Sequence, residues 1–427
     1  MLARLKQQLT PPRLLILTYV IGAAIGLVQG LFVARQLGAA GYGIVGVLVT
    51  LGGLATNFWD LRLIDLATKL HYAAQNDAAR QSATMRMLLL LNAALGLLMA
   101  LTTTALIWLC WHFFTETAPH TGWVIMQGAT LGLAFFMGSA QSMQRLANSF
   151  YVFAFSRLAA QFMGLLCVAG TLVFEPSISG YYYGLLGSTL LGLVLALFVL
   201  DHVWRQAFGQ PLMGPLTRDA WQSYRSELRF VLSANAYSYS KMLTRSGDLL
   251  IFSFFASDSM TGVYRLARSL ADNLNVFVDA VVQYYNPKLM HLQAEGRQAE
   301  FTHIAKRFFK AAVAVTLLVA PAAWIGLELL NSWFLHGNYQ GLGLTTALLS
   351  LNFVFIAGVH PWLWPALVHT NNTHRMAVHS SIGALTQAGL LAGLCYFVAP
   401  YPAFAAFCAV IYYCICYIPL FLWWRRQ

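Results

Sequence analysis

Apolar runs long enough to cross a bilayer recur along the whole 427-residue chain, broken only by short polar segments. A helix needs about 20 mostly apolar residues to span the hydrocarbon core. Twelve such runs are readable, at 13–34, 42–66, 84–111, 123–144, 152–174, 181–203, 228–255, 262–286, 307–330, 343–369, 376–399 and 402–424. They lack the alternation of a barrel strand, so helices are the expected spanning structure. Charged residues make up only 10%, where a soluble domain carries about 25%, and the mean hydropathy is +0.62. A soluble enzyme, a disordered chain and a fibrous protein are excluded. The 33 Gly and 13 Pro have no period, so a collagen-like chain is excluded too. The expectation is an all-α integral membrane protein.

The first run follows a short basic stretch, Met1 to Pro12. It is too long for a signal-peptide core and no clear cleavage site follows it, so it is expected to stay as the first helix. Six cysteines (Cys110, Cys167, Cys395, Cys408, Cys414 and Cys416) fall inside the runs without CxxC spacing. Neither a disulfide framework nor a zinc site is expected. The net charge of +11, from 26 Lys and Arg against 15 Asp and Glu, would point to nucleic acid in a soluble protein. Its placement decides otherwise. With twelve spans and the N-terminus inside, twenty cations fall on the cytoplasmic side, Arg86, Arg157, Arg205 and Arg375 among them. One, Arg35, falls in an outer loop. Through the positive-inside rule this split supports cytoplasmic N- and C-termini, and it removes nucleic acid as a partner. The other five, Arg62, Lys241, Arg245, Arg265 and Arg268, lie within spans.

The outer loops are short, the longest near 331–342, and none has room for a soluble catalytic domain. A longer polar break at 204–227, with Pro211, Gly214 and Pro215, divides the chain into six plus six helices. The expected organisation is an N-terminal lobe over 1–203, a cytoplasmic linker over 204–227 and a C-terminal lobe over 228–427. A short self-similarity supports it. Ala39-Ala40-Gly41-Tyr42-Gly43 precedes the second span and Met260-Thr261-Gly262-Val263-Tyr264 the eighth. Six is even, so both halves enter the membrane from the same side, as parallel repeats do.

An ionisable residue at the bilayer centre costs about 2.5–3.5 kcal/mol on insertion scales. The seventh and eighth spans accept that cost repeatedly. Lys241, Arg245 and Asp248 are spaced i, i+4, i+7, within a sector of about 60°. Arg265, Arg268, Asp272 and Asp279 are spaced i, i+3, i+7, i+14 and also share a face. Mutual neutralisation is the plainest account, Arg245 with Asp248 at i+3 and Arg268 with Asp272 at i+4. It suits one pair better than the set, because buried ion pairs rarely gain over apolar packing. Two charged stripes facing one lumen make a hydrated, partly cationic cavity suited to an anionic substrate, phosphate foremost. Asp60 in the second span is a further lumen candidate, whereas Arg62 and Asp65 can snorkel to the interface. Glu328 is expected at the interface. His360 begins a His-Pro-Trp-Leu-Trp-Pro stretch that should bend its helix. A proton relay is open to this histidine, and a hydrogen-bonded structural role is the simpler reading. Gly22, Gly26 and Gly30 repeat every fourth residue, a spacing that allows close helix approach. Trp423 and Trp424 with Arg425 and Arg426 read as an interface anchor.

Ala34-Arg35-Gln36-Leu37-Gly38-Ala39-Ala40-Gly41-Tyr42-Gly43 resembles the start of polysaccharide-biosynthesis flippases. These form the Wzx-like O-antigen flippase branch of the multidrug/oligosaccharidyl-lipid/polysaccharide (MOP) superfamily. The second half is similar in Asp248-Leu249-Leu250-Ile251, Met260 to Tyr264, Ala267, Leu270, Ala271, Asp272, Pro287-Lys288-Leu289 and Ala294-Glu295-Gly296. The resemblance implies two six-helix lobes around a central cavity, alternating access, and a place in the bacterial cytoplasmic membrane. It also implies a lipid-linked glycan substrate, commonly an undecaprenyl-diphosphate oligosaccharide. That substrate would move from the inner to the outer leaflet for O-antigen, capsule or exopolysaccharide. The charge stripe on the eighth span is not a family motif.

On that reading Lys241, Arg245, Arg265 and Arg268 receive the diphosphate or acidic sugars. Asp60, Asp248, Asp272 and Asp279 balance them and are the candidates for proton or sodium coupling. The expected partners are membrane lipids, the lipid-linked glycan and other polysaccharide assembly proteins. No cofactor, metal or catalytic residue is expected. A cation-coupled multidrug exporter of the same fold is the alternative, and it would favour an acidic, aromatic pocket. A membrane glycan polymerase or ligase would need a sizeable outer loop, and Glu116, His120 and Glu175 form no catalytic constellation.

Overall fold

A computed structural model describes residues 11–59, 61, 63–73, 77–147, 149–209, 211–212, 214, 218–226, 247–370 and 372–425. These residues form helices and no strands. The helices are α1 (Pro11–Trp59), α2 (Leu63–Ala73), α3 (Ala78–Cys110), α4 (Thr121–Leu146), α5 (Phe150–Phe174), α6 (Ile178–Phe208) and α7 (Arg218–Ser226). After them come α8 (247–255), α9 (Asp258–Ala294), α10 (Gln298–Trp333), α11 (Leu342–Ser350) and α12 (Phe353–Gly358). The last are α13 (His360–His369), α14 (Thr373–Phe397) and α15 (Pro402–Arg425). Among the described residues, eight helices are long and apolar enough to cross a membrane, or nine if the bent run Leu342–Leu367 is one span. The seventh expected run lies mostly outside the described residues, and the eighth is the charged α9. Twelve crossings stay an expectation.

The first two expected runs are continuous in α1. At 1.5 Å per residue such a helix would be about 70 Å long, more than twice the hydrocarbon thickness. The sequence divides it at Gly38, whose φ of 66° and ψ of 177° lie in a region open essentially to glycine alone.

The described residues group into two compact units. One takes those of 1–29, 48–112 and 118–242, the other those of 30–47, 113–117 and 243–427. The grouping does not follow chain order, because 30–47 and 113–117 cluster with the second half.

In the first unit α3 packs along α4, α4 along α6, and α5 along α6. Gly96 and Gly132 let α3 and α4 meet backbone to backbone, since a Cβ on either would overlap the carbonyl of the other. Met85, Leu88, Ala140, Met143, Leu200 and Trp204 form the buried core at one end. Arg86, read as a topogenic cation, is buried instead. It donates from Nε to Leu212 O at 3.0 Å and from Nη2 to Pro211 O at 2.7 Å. Asp201 accepts from Leu212 N at 3.1 Å, so the turn after α6 is held from both sides.

In the second unit α14 packs along α15, and α9 packs against α11 and α13. The core is Leu289, Phe301, Trp362, Leu363, Tyr417 and Leu420. The expected bend is present. The axis turns by 42° between Gly358 and His360, just before Pro361 rather than within the Pro-Trp-Leu-Trp-Pro stretch. The Trp362 indole donates to Gly358 O at 2.7 Å across the break. Glu328 accepts from Gly343 N at 3.1 Å and so ties the end of α10 to the N-terminus of α11.

The two self-similar turns meet inside this unit. A Cβ on Gly43 would overlap Asp258 O, and a Cβ on Gly262 would overlap Ala39 O. Arg265 Nη1 donates to Gly46 O at 2.7 Å, and its guanidinium lies 5.4 Å from the Tyr42 ring centre. Gly43 lies against Gly262 and Gly46 against Arg265, each pair 219 residues apart, while Asp258 answers Gly43 as Ala39 answers Gly262. This reciprocal pattern is the one two copies of an element make where they cross about a two-fold axis.

Candidate functional site

Asp248 stands at the start of α8, where its Oδ1 accepts from Leu249 N at 2.8 Å. Its other oxygen accepts from the Tyr264 hydroxyl at 2.7 Å and pairs with the Arg268 guanidinium. Tyr264 and Arg268 are one turn apart on α9, so a single helix face supplies the hydroxyl and the cation. One turn further on, Asp272 Oδ2 lies 3.7 Å from Arg268 Nε. The two acids differ in environment: the Asp248 side chain is 5% exposed and that of Asp272 62%. Arg268 therefore bridges a buried carboxylate and an open one. Asn275 donates to Asp272 Oδ1 at 3.3 Å.

The cluster lines a recess of about 50 Å³ together with Asn352, Gln387 and Tyr412. That is room for a few water molecules and not for a sugar. Asn352 Oδ1 is buried without a partner among the described residues, so the recess is polar on both walls. What the arrangement can do is exchange partners. A charge arriving at either acid changes what holds Arg268.

The structure joins Asp248, Arg268 and Asp272, three of the eight expected site residues. Arg265 points elsewhere, to Gly46 and Tyr42 at the helix crossing. Asp60, Lys241 and Arg245 lie outside the described residues, and so does the expected Arg245–Asp248 pairing. Asp279 is on α9, with its side chain outside them as well. His360 is hydrogen-bonded to Tyr417 through Nδ1 at 3.1 Å. Two members of the cluster went unread in the sequence, Tyr264 and Asn275. Tyr264 had a signal, since it precedes Arg268 by four residues. Among the described residues no helix backbone approaches the glycine repeat of the first run. Gly22 leaves room for the Gln161 side chain, and a Cβ on Gly26 would meet nothing within 4 Å.

Comparison with solved structures places the chain in a fold. An inward-facing multidrug resistance MATE family transporter of the MOP superfamily superposes with a TM-score of 0.75 at 13% identity, covering 95% of this chain and 94% of that one. The lipid II flippase MurJ, in an inward closed conformation, gives 0.65 at 11%, covering 96% and 87%. A MOP superfamily transporter from Pyrococcus furiosus, described as having a reversed binding-pocket polarity, gives 0.57 at 14%, covering 97% and 95%. No curated protein matches the chain in sequence. The fold is that of the MOP transporters, an all-α membrane architecture. Residues 13–287 match the polysaccharide biosynthesis protein family, and the chain belongs to that family.

Proposed function

We propose that the protein is a flippase that carries a diphosphate-linked glycan lipid from the inner to the outer leaflet by alternating access. The observation that carries this reading is the family match over residues 13–287, a stretch that contains Asp248, Arg268 and Asp272. The glycan supplies O-antigen, capsule or exopolysaccharide, and no bond in the substrate is made or broken. Lys241, Arg245 and Arg268 serve the anionic headgroup, and Arg265, engaged at the helix crossing, does not. A proton or sodium ion reaching the open Asp272 removes one of the two carboxylates that hold Arg268 and turns the guanidinium towards phosphate. Ion binding thus favours substrate binding at the same cluster, and that linkage supplies the differential interaction coupling requires.

Contacts between loops support the twelve-span, N-in and C-in arrangement in the bacterial cytoplasmic membrane. Segments expected outside touch one another: Tyr339 donates to Ala34 O at 2.8 Å, and Glu116 N donates to Asp258 at 3.3 Å. Segments expected inside do likewise, with Arg375 4.8 Å from the Trp423 ring centre and Phe301 6.0 Å from that of Trp424.

The test is surface glycan display in a strain that depends on this protein. Lys241→Ala and Arg245→Ala are expected to abolish display while the protein still reaches the membrane. Wild-type display in both variants would overturn their assignment. The multidrug exporter is the competing reading. Drug resistance conferred on a sensitised strain, with glycan display unaffected by deletion, would favour it.

A further inference from the structure

A second cavity lies wholly within the first unit. It holds about 440 Å³ among α1, α4 and α5 and is lined by the apolar Met137 and Phe153 and by Tyr19, Gly138, Gln141, Arg157 and Gln161. Small-molecule sites run to about 300–1,000 Å³, so a sugar ring fits. The Arg157 guanidinium lies 4.2 Å from the Tyr19 ring centre and has no carboxylate partner among the described residues. Gln161 Oε1 is buried with no hydrogen-bond partner there. Gln141 is 8% exposed and likewise makes no protein hydrogen bond among the described residues. Among the described residues, a cation without a carboxylate and a buried, unpaired carboxamide oxygen are costly within a membrane helical unit unless something satisfies them.

The donor set selects the ligand. One guanidinium fork matches one carboxylate through two parallel hydrogen bonds. A diphosphate carries more negative charge than a single arginine neutralises in a low-dielectric site. The carboxamides offer both donors and acceptors, the groups ring hydroxyls pair with. Gln141 and Arg157 lie about 8–11 Å from the α4 and α5 ends that flank their connection, by the 1.5 Å rise. That connection belongs to the face expected to be cytoplasmic, where a glycan headgroup enters.

We infer that this cavity is a subsite for a carboxylate-bearing sugar of the transported glycan, with the carboxylate on Arg157 and the ring hydroxyls on Gln141 and Gln161. The inference rests on the flippase reading and adds that the glycan is acidic.

The experiment titrates methyl glucuronide, methyl glucoside and inorganic pyrophosphate against the full-length protein in detergent. Ligand-observed NMR is the readout, with an unfolding temperature taken for every variant. The glucuronide is expected to bind at least about tenfold tighter than its neutral counterpart. Arg157→Ala abolishes that preference and Arg157→Lys retains part of it. Gly138→Leu keeps the fold, because a Cβ at Gly138 meets nothing within 4 Å, and it fills the cavity. Glucuronide binding is lost in that variant too. Three results would overturn the subsite: equal binding of glucuronide and glucoside, pyrophosphate binding tighter than glucuronide, or glucuronide binding unchanged in Arg157→Ala and Gly138→Leu. Translocation of a uronate-bearing and of a neutral lipid-linked glycan in proteoliposomes is measured in parallel. Translocation without glucuronide binding sinks the subsite alone. Glucuronide binding with no translocation of any lipid-linked glycan sinks the flippase reading.

Discussion

Arg268 is the residue on which the candidate site turns, because it stands between an acid sealed from water and one open to it. Removing one partner of a buried pair leaves an uncompensated charge, at a cost of about 3–5 kcal/mol. Arg268→Ala is therefore expected to lower the unfolding temperature in detergent sharply. Tyr264→Phe removes a donor to the same carboxylate and is expected to cost about 1–3 kcal/mol. Asp272→Asn acts differently. Its side chain is exposed and its ion pair is long, so stability should change by less than about 1 kcal/mol. Transport should nonetheless fall, because the open acid is the one solvent and ions reach. An Asp272→Asn protein with wild-type transport would remove that acid from the mechanism. The Arg268–Asp272 neighbourhood was legible in the sequence, since both residues sit on one helix at i, i+4. The Asp248–Arg268 pair was not, because the turn between α8 and α9 creates it and helical spacing says nothing across a turn. Arg265 shared the stripe by spacing alone, and the close crossing at Gly43 and Gly262 turned it to a backbone carbonyl. Arg157 was read as a topogenic charge, since nothing in its own span reveals the cavity beside Tyr19.

At the scale of elements, glycine governs where helices break and cross. Gly38 holds a backbone conformation that costs other residues on the order of 1–3 kcal/mol. Gly38→Ala is expected to lower thermal stability by that amount. Gly262→Val is expected to do more, because its side chain would overlap Ala39 O at the crossing. A wild-type unfolding temperature for Gly262→Val would mean that the two turns do not pack as described. Both turns stood out in the sequence as a repeated short pattern. Their contact could not be read there, because self-similarity shows that two elements are alike and not that they touch. The bend near His360 followed from proline chemistry, and its place before Pro361 reflects where the helical donor is lost.

At the scale of the whole molecule, the scarcity of charge announced a membrane protein, the family match places it among polysaccharide biosynthesis proteins, and the fold is that of the MOP transporters. On the proposed reading, chemistry at two sites that occupy a small part of the chain selects the substrate. Translocation is the direct measurement. Purified protein is reconstituted in proteoliposomes carrying a fluorescent diphosphate-linked oligosaccharide lipid, and the fraction of label reached by a membrane-impermeant quencher is followed in time. The expected result is a protein-dependent redistribution of label between leaflets, slowed in Asp272→Asn. Label that stays on its starting leaflet, in vesicles where the same protein moves a cationic drug, would contradict the flippase and establish the exporter.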